Sequence, residues 1–303
     1  MKKDFLSILD LTAKEIKEII ADAKVMKNMR MWGESPRPLE GKKAILIFRK
    51  PSLRTRASFE IGITELGGTS YTFHEEEIQI GKRESVSDAA RVFSRYCDLI
   101  IIRTYAQREV EELARYSSVP VINALTDLLH PCQILSDVYT IVEKKGAIEG
   151  ISIAYVGDGN NIAHSWLNLS CRIPIDLRIA TPPQFAPVEG IVENALKNKV
   201  SRITITNNPV EAVKGADVVY TDVWASMGQK HLAEEKALVL RDFQVNSELV
   251  KHAKPDYIFM HCLPAERGKE VTDEIIDGPN SVVFDQAENR LHVQKALMAY
   301  MFK

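Results

Sequence analysis

Cysteine is scarce and scattered in this chain of 303 residues: Cys97, Cys132, Cys171 and Cys262 are the four, and no two form a C-x-x-C pair. That spacing argues against a zinc site and against a disulfide framework in a chain of this length. They read as free thiols, most of them packed. An excess of charge of one sign is also missing. Lys and Arg number 39 against 41 Asp and Glu, for a net charge of −2, so there is no basic stripe of the kind that nucleic acid requires. Small molecules are the expected partners. No apolar run approaches bilayer-spanning length, and Met1-Lys2-Lys3-Asp4-Phe5 lacks the apolar stretch and cleavage site of a signal peptide. The expectation is a cytoplasmic chain with no membrane contact. There is no low-complexity segment, internal repeat or Pro/Gly-rich linker, and no G-x-x-x-x-G-K-[ST] phosphate loop.

What is present is rhythm. Short apolar runs alternate with helical patterns at 43–48, 69–73, 99–103 and 120–123, and again at 151–156, 177–180, 202–206, 218–221, 257–261 and 282–284. This predicts an α/β fold of two tandem domains, each a parallel sheet covered by helices. Ile134, Leu135, Val138, Ile141 and Val142 recur at helical spacing between Pro131 and Gly146, predicting a helix that bridges the two sheets. The expected domains are 1–145 and 146–290. Helical patterns at Ile16 to Met26 and Leu291 to Met301 predict packing helices, the terminal one (291–303) lying back on the first domain.

Ligands of open parallel sheets bind beyond the carboxyl ends of the strands, so residues just after each apolar run carry the most weight. Ser52, Leu53, Arg54, Thr55 and Arg56 follow the first run where a helix should begin. Helix N–H groups and guanidinium forks together suit a phosphate. Ser and Thr also cap helices for structural reasons, but two Arg in one turn exceed what a cap needs. Arg56 is expected to pair with Glu60 one turn on. His130-Pro131-Cys132-Gln133 opens the bridging helix, with His130 and Gln133 suited to a polar carbonyl compound and Cys132 read as core.

Gly157-Asp158-Gly159-Asn160-Asn161 follows a strand, yet Ile162 stands where a dinucleotide fingerprint needs a small residue. Asn160 and Asn161 instead offer amide donors that could hold a carboxylate. Asp222 and Cys262 end two later runs; taken singly, the first reads equally as a helix cap and the second as an inert thiol.

Together, S-L-R-T-R at 52–56, H-P-C-Q at 130–133, G-D-G-N-N at 157–161, D-V-W-A-S-M-G at 222–228 and H-C-L-P-A at 261–265 resemble the aspartate/ornithine carbamoyltransferase family, its ornithine branch above all. The resemblance runs in order through nearly the whole chain to Glu288-Asn289-Arg290. It implies an active site in the cleft between the two domains and transfer of the carbamoyl group of carbamoyl phosphate to the δ-amino group of L-ornithine, giving citrulline and phosphate. It implies no metal and no cofactor.

By matching motifs, carbamoyl phosphate would meet Ser52, Leu53, Arg54, Thr55, Arg103, His130, Gln133, Cys262, Leu263 and Arg290. Gln79 would reach in from a neighbouring subunit, implying a homotrimer or a multiple of trimers. Ornithine would meet Asn161, Asp222, Ser226 and Met227, and Arg103, His130, Asp222 and Cys262 would carry the chemistry. Leu53 stands where Thr is common in the family, which costs a hydroxyl contact and leaves a backbone N–H. An aspartate enzyme should show H-P-L-P at 261–264, and a putrescine enzyme, the alternative acceptor, should lack Ser226-Met227-Gly228. A non-catalytic sensor that kept the fold is the rival from another class.

Overall fold

The structure is a computed structural model and describes residues 2–81, 83–225 and 232–303. In chain order its first elements are α1 (Ala13–Met31), β1 (Lys43–Phe48), α2 (Arg54–Glu65), β2 (Thr69–His74), α3 (Glu75–Ile78), α4 (Val86–Phe93), β3 (Leu99–Arg103), α5 (Gln107–Tyr116), β4 (Val121–Leu125) and α6 (Pro131–Lys145). There follow β5 (Ser152–Val156), α7 (Asn161–Ser170), β6 (Asp176–Ala180), α8 (Glu189–Asn198), β7 (Arg202–Thr206), α9 (Pro209–Val213) and β8 (Val218–Thr221). The last are α10 (Ala233–Val239), α11 (Ser247–Val250), β9 (Ile258–His261), α12 (Asp273–Ile276) and α13 (Val283–Tyr300).

The strands form two parallel sheets, ordered β2-β1-β3-β4 and β7-β6-β5-β8-β9. The chain divides into two compact units, Met1–Tyr139 with Glu288–Lys303, and Thr140–Ala287. The division runs through α6 and α13 rather than at their ends. No helix among the described residues is long and apolar enough to cross a membrane.

In the first unit, Leu99-Ile100-Ile101-Ile102 is buried along its whole length, as a central parallel strand covered on both faces must be. One face of that sheet packs Ile45, Ile47, Ile100, Ile102 and Val121 against Val86, Ala89 and Ala90 of α4 and Val110 and Leu113 of α5. Helix α1 turns in Ile16, Ile19, Ile20, Ala23 and Met26, the three-and-four spacing of a single helical face. In the second unit Ala154, Val156, Val219 and Phe259 of the sheet pack with Ala212, Trp224, Phe243 and Ile275. Every residue of α7 is buried, and Trp166 from this helix meets the ring of Tyr220 edge-on at 6.0 Å.

One strand expectation fails. Residues 282–284 are not a tenth strand: Ser281 makes only an isolated bridge to Phe259, and α13 begins at Val283. The apolar triplet misled because Val283 faces the core while Phe284 is 68% exposed, a burial contrast that a helix start and a strand share over three residues.

In each sheet, chain order reverses at one place, between β1 and β3 in the first and between β5 and β8 in the second. Loops diverge there, leaving room for ligand beyond the strand ends.

Candidate active site

Two groups of polar side chains lie at these reversal points, one on each unit. In the first unit β1 ends at Phe48, and α2 starts at Arg54 with Leu53 as its N-cap residue, making no side-chain cap bond. The first-turn N–H groups are therefore not closed off by a capping oxygen, and plain capping is not what Ser52 and Thr55 do. Ser52 and Arg54 are half-buried, whereas Leu53 turns its side chain outward at 81% exposure, consistent with a residue that offers only its backbone. Arg56 is committed along the helix to Glu60 at 2.9 Å, as its spacing predicted.

Thr55 is buried at the centre of this group. Its Oγ1 accepts from Arg290 at 2.7 Å and from Arg103 at 3.4 Å. With those lone pairs occupied, its proton is what the hydroxyl has left to offer a ligand. Arg103, at the end of β3 beside a register shift, His130 and Arg290 are all buried. Burial first, and the guanidinium groups of Arg290 and Arg103 next, hold His130 well below the usual imidazole range, so its ring is neutral.

Gln133, one turn into α6, is fully buried and donates through Nε2 to Asp137 at 2.9 Å. Its Oε1 has no hydrogen-bond partner among the described residues. An unspent buried acceptor of this kind suits an N–H donor on a ligand. Cys132 is core, as expected: its thiol donates to the carbonyl of Asn123, and burial pushes it up to about 12. Gln79 lies elsewhere, exposed at the end of α3 with left-handed backbone (φ 45°).

In the second unit, Gly159 lies so close to the segment 185–187 that a Cβ would sit 2.4 Å from the carbonyl oxygen of Phe185 and from the nitrogen of Pro187. Only glycine fits there. Asn160 caps α7, its Oδ1 accepting from the N–H groups of Ile162 and Ala163, and its Nδ2 donates to Asp222 at 2.8 Å. One N–H of its amide is thus committed to the protein's own carboxylate, while Asn161 is the first residue of the helix and buried.

Asp222, just beyond β8, is no helix cap. Its Oδ1 accepts from the thiol of Cys262, just beyond β9, at 3.0 Å. Cys262 is half-buried, unlike the other three cysteines. The turn that presents it is held by His261, whose Nδ1 accepts from the N–H of Leu263 at 2.9 Å and whose Nε2 meets Glu270 at 3.2 Å. Leu263 has left-handed backbone and is followed by a cis proline.

Ligand atoms of Asp222, His261 and Cys262 fall within 4.8 Å of one another. Both nitrogens of His261 are already engaged, so the trio does not offer a metal three ligands. A pair that sequence reasoning missed supports the loop between β5 and α7: Lys236 of α10 reaches Asp158 at 2.6 Å, with both side chains buried. Nothing in the spacing of residues 158 and 236 signals it. Ser226 and Met227 lie outside the described residues.

Family models for the aspartate/ornithine carbamoyltransferase carbamoyl-P binding domain and for the Asp/Orn binding domain match residues 3–143 and 149–301. The chain belongs to the aspartate/ornithine carbamoyltransferase family. Among similar members, the ornithine carbamoyltransferase of Thermococcus kodakarensis is 52% identical over 98% of this chain and 95% of its own. The solved ornithine carbamoyltransferase of Pyrococcus furiosus superposes with a TM-score of 0.93 at 51% identity, covering 98% of this chain and 96% of that one. The anabolic enzyme of Campylobacter jejuni superposes equally well, TM-score 0.93, at 37% identity over 99% of both. The family's first domain matches the part of this chain that holds Thr55, Arg103, His130 and Gln133. Its second matches the part that holds Asn160, Asp222, Cys262 and also Arg290, although Arg290 belongs with the first compact unit.

Proposed function

We propose that this chain is an enzyme that transfers the carbamoyl group of carbamoyl phosphate to the δ-amino group of L-ornithine, releasing citrulline and phosphate. The observation that carries the reading is the Cys262–Asp222 pair. A thiol hydrogen-bonded to a carboxylate at two adjacent strand ends suits a substrate amine, and relatives named ornithine carbamoyltransferase match nearly the whole chain.

The first unit supplies the donors for carbamoyl phosphate. Arg54, Ser52 and the open N-terminus of α2, with the backbone of Leu53, take the phosphate, and Arg290 adds a further charge. Arg103, neutral His130 and the Thr55 hydroxyl take the carbonyl oxygen, and the Oε1 of Gln133 accepts from the carbamoyl NH₂. The second unit supplies the acceptors. An ammonium has no lone pair, so the amine must arrive neutral or lose a proton, and Asp222 with Cys262 orients it by accepting its N–H bonds. Asn161, Ser226 and Met227 serve the amino-acid end of ornithine, and Leu263 beside Cys262 offers its backbone carbonyl to the carbamoyl NH₂.

Attack on the carbonyl carbon places negative charge on an oxygen facing Arg103, His130 and Thr55. A preorganised donor at such an oxygen is worth about 3 to 4 kcal/mol in comparable sites. Collapse breaks the bond from the carbonyl carbon to the phosphate oxygen and expels phosphate into a nest of positive charge; the surplus proton of the attacking nitrogen leaves with the phosphate, and no covalent bond to the protein is needed. We further propose that the working form is a cytoplasmic homotrimer, or a multiple of it, in which Gln79 serves a neighbouring subunit's site. Its exposure at a left-handed turn supports that role. Citrulline-type product formation with ornithine, putrescine and aspartate as competing acceptors tests the assignment. Ornithine should win by orders of magnitude; preference for either of the others overturns it.

A further inference from the structure

Asn160 does two jobs with one side chain, and only one of them is structural. Its Oδ1 caps α7 by accepting from Ile162 at 2.9 Å and Ala163 at 3.4 Å, and the hydroxyl of Tyr155, whose one proton also faces the carbonyl of Asp158 at 2.9 Å, lies 3.1 Å away. The two backbone N–H groups settle which end of the amide is oxygen. The NH₂ end is therefore forced toward Asp222 Oδ2, 2.8 Å away, and a carboxylate can only accept there. The other oxygen of Asp222 is held by Cys262. With each oxygen tied to a donor from a different loop, the plane of the carboxylate is fixed.

We propose that Asn160 is a positioning residue of the reaction: its amide N–H aims Asp222 so that the carboxylate and the Cys262 thiol present themselves together to the incoming amine. The inference rests on the carbamoyl-transfer reading above and adds to it a residue that touches neither substrate. The helix cap supplies the rigidity, because displacing Asn160 would also release two first-turn N–H groups of a helix buried along its whole length.

Among the described residues, the other charged or titratable groups around Asp222 are Cys262 and His261 at the end of β9, Tyr155 of β5, and Asp158, itself paired with Lys236 of α10. Among the described residues in that group, Asn160 is the neutral side chain whose N–H meets the carboxylate, so its removal changes the local field in a predictable direction.

Asn160→Ser and Asn160→Asp separate the two jobs, since Ser and Asp cap a helix about as well as Asn. A residue that only caps would leave both variants with wild-type turnover. The proposal expects kcat to fall by about tenfold or more in each, with KM for carbamoyl phosphate within about twofold of wild type. It also expects a second signal that does not depend on activity. Cys262 is the one cysteine of the four that is not buried, so iodoacetamide reads it selectively. Loss of the N–H dipole disfavours the thiolate, and a second carboxylate disfavours it more, so alkylation at pH 8 should slow in Asn160→Ser and slow further, about fivefold or more, in Asn160→Asp. Turnover within twofold of wild type together with unchanged alkylation in both variants overturns the proposal. If the wild-type protein carbamoylates no amine, the functional reading fails, and the alkylation series still decides whether Asn160 governs the Asp222–Cys262 pair.

Discussion

Lys236→Met should destabilise the second unit far more at pH 8 than at pH 5.5. Lys236 and Asp158 meet at 2.6 Å with side chains only 3% and 6% exposed. Burial first, against the downward pull of Lys236 and with a further upward push from Asp222, leaves the Asp158 carboxyl raised to about 6. A carboxyl raised in the folded state holds its proton more tightly there than in the unfolded chain. Stability therefore falls as pH rises from the unfolded value, about 4, to the folded one, and is flat above it.

Without its cation the buried carboxyl should be raised further still and keep its proton into the neutral range. At roughly 1.4 kcal/mol for each pH unit over which the folded carboxyl stays protonated, the variant should lose about 2 kcal/mol more than the wild type between pH 5.5 and 8. The penalty of the substitution should thus be about 3 to 5 kcal/mol at pH 8, the usual result of breaking a buried pair, and smaller by about 2 at pH 5.5. Urea denaturation of both proteins at the two pH values measures it. The double variant Asp158→Asn with Lys236→Met, which removes both charges of the pair, should recover most of the loss. A penalty equal at both pH values, or no recovery in the double variant, refutes the reasoning.

Thr55→Val keeps the shape and removes the oxygen shared by Arg290 and Arg103; the Michaelis constant for carbamoyl phosphate should rise about tenfold or more, and inhibition by free phosphate should weaken in parallel. Gly159→Ala drives a Cβ into backbone atoms at 2.4 Å that belong to no flexible side chain, so the variant should lose several kcal/mol of stability or fail to accumulate as folded protein, judged by circular dichroism and melting temperature. Arg54→Ala and Gln79→Ala should each be nearly inactive, yet recover some turnover when mixed and allowed to exchange subunits; no recovery after verified exchange removes Gln79 from a shared site.

Much of the candidate site was legible because its residues fall just after apolar runs, and a parallel sheet brings strand ends to one edge whatever the connecting helices do. Thr55, Arg103, His130 and Gln133 were found in this way, as were Asp222 and Cys262. The function of Asn160 was half legible. The sequence marked it as an amide donor for a carboxylate, but that the carboxylate is the protein's own Asp222 did not show, because Asp222 is 62 residues away in the chain. The pairing of Lys236 with Asp158 across 78 residues and of Arg290 with Thr55 across 235 left no local trace at all.

By itself, then, the order of residues determined the alternation of strands and helices, the two parallel sheets and the family motifs, since each of these is written in periodicities and spacings of a few residues. It did not determine that a helix begins at Val283, nor that the Thr55 oxygen is shared by two guanidinium groups, nor that one asparagine both caps a helix and holds a carboxylate. Those depended on which strands became neighbours. A hydrogen bond needs its partners about 3 Å apart, and for groups far apart in sequence only the packed sheets bring them that close.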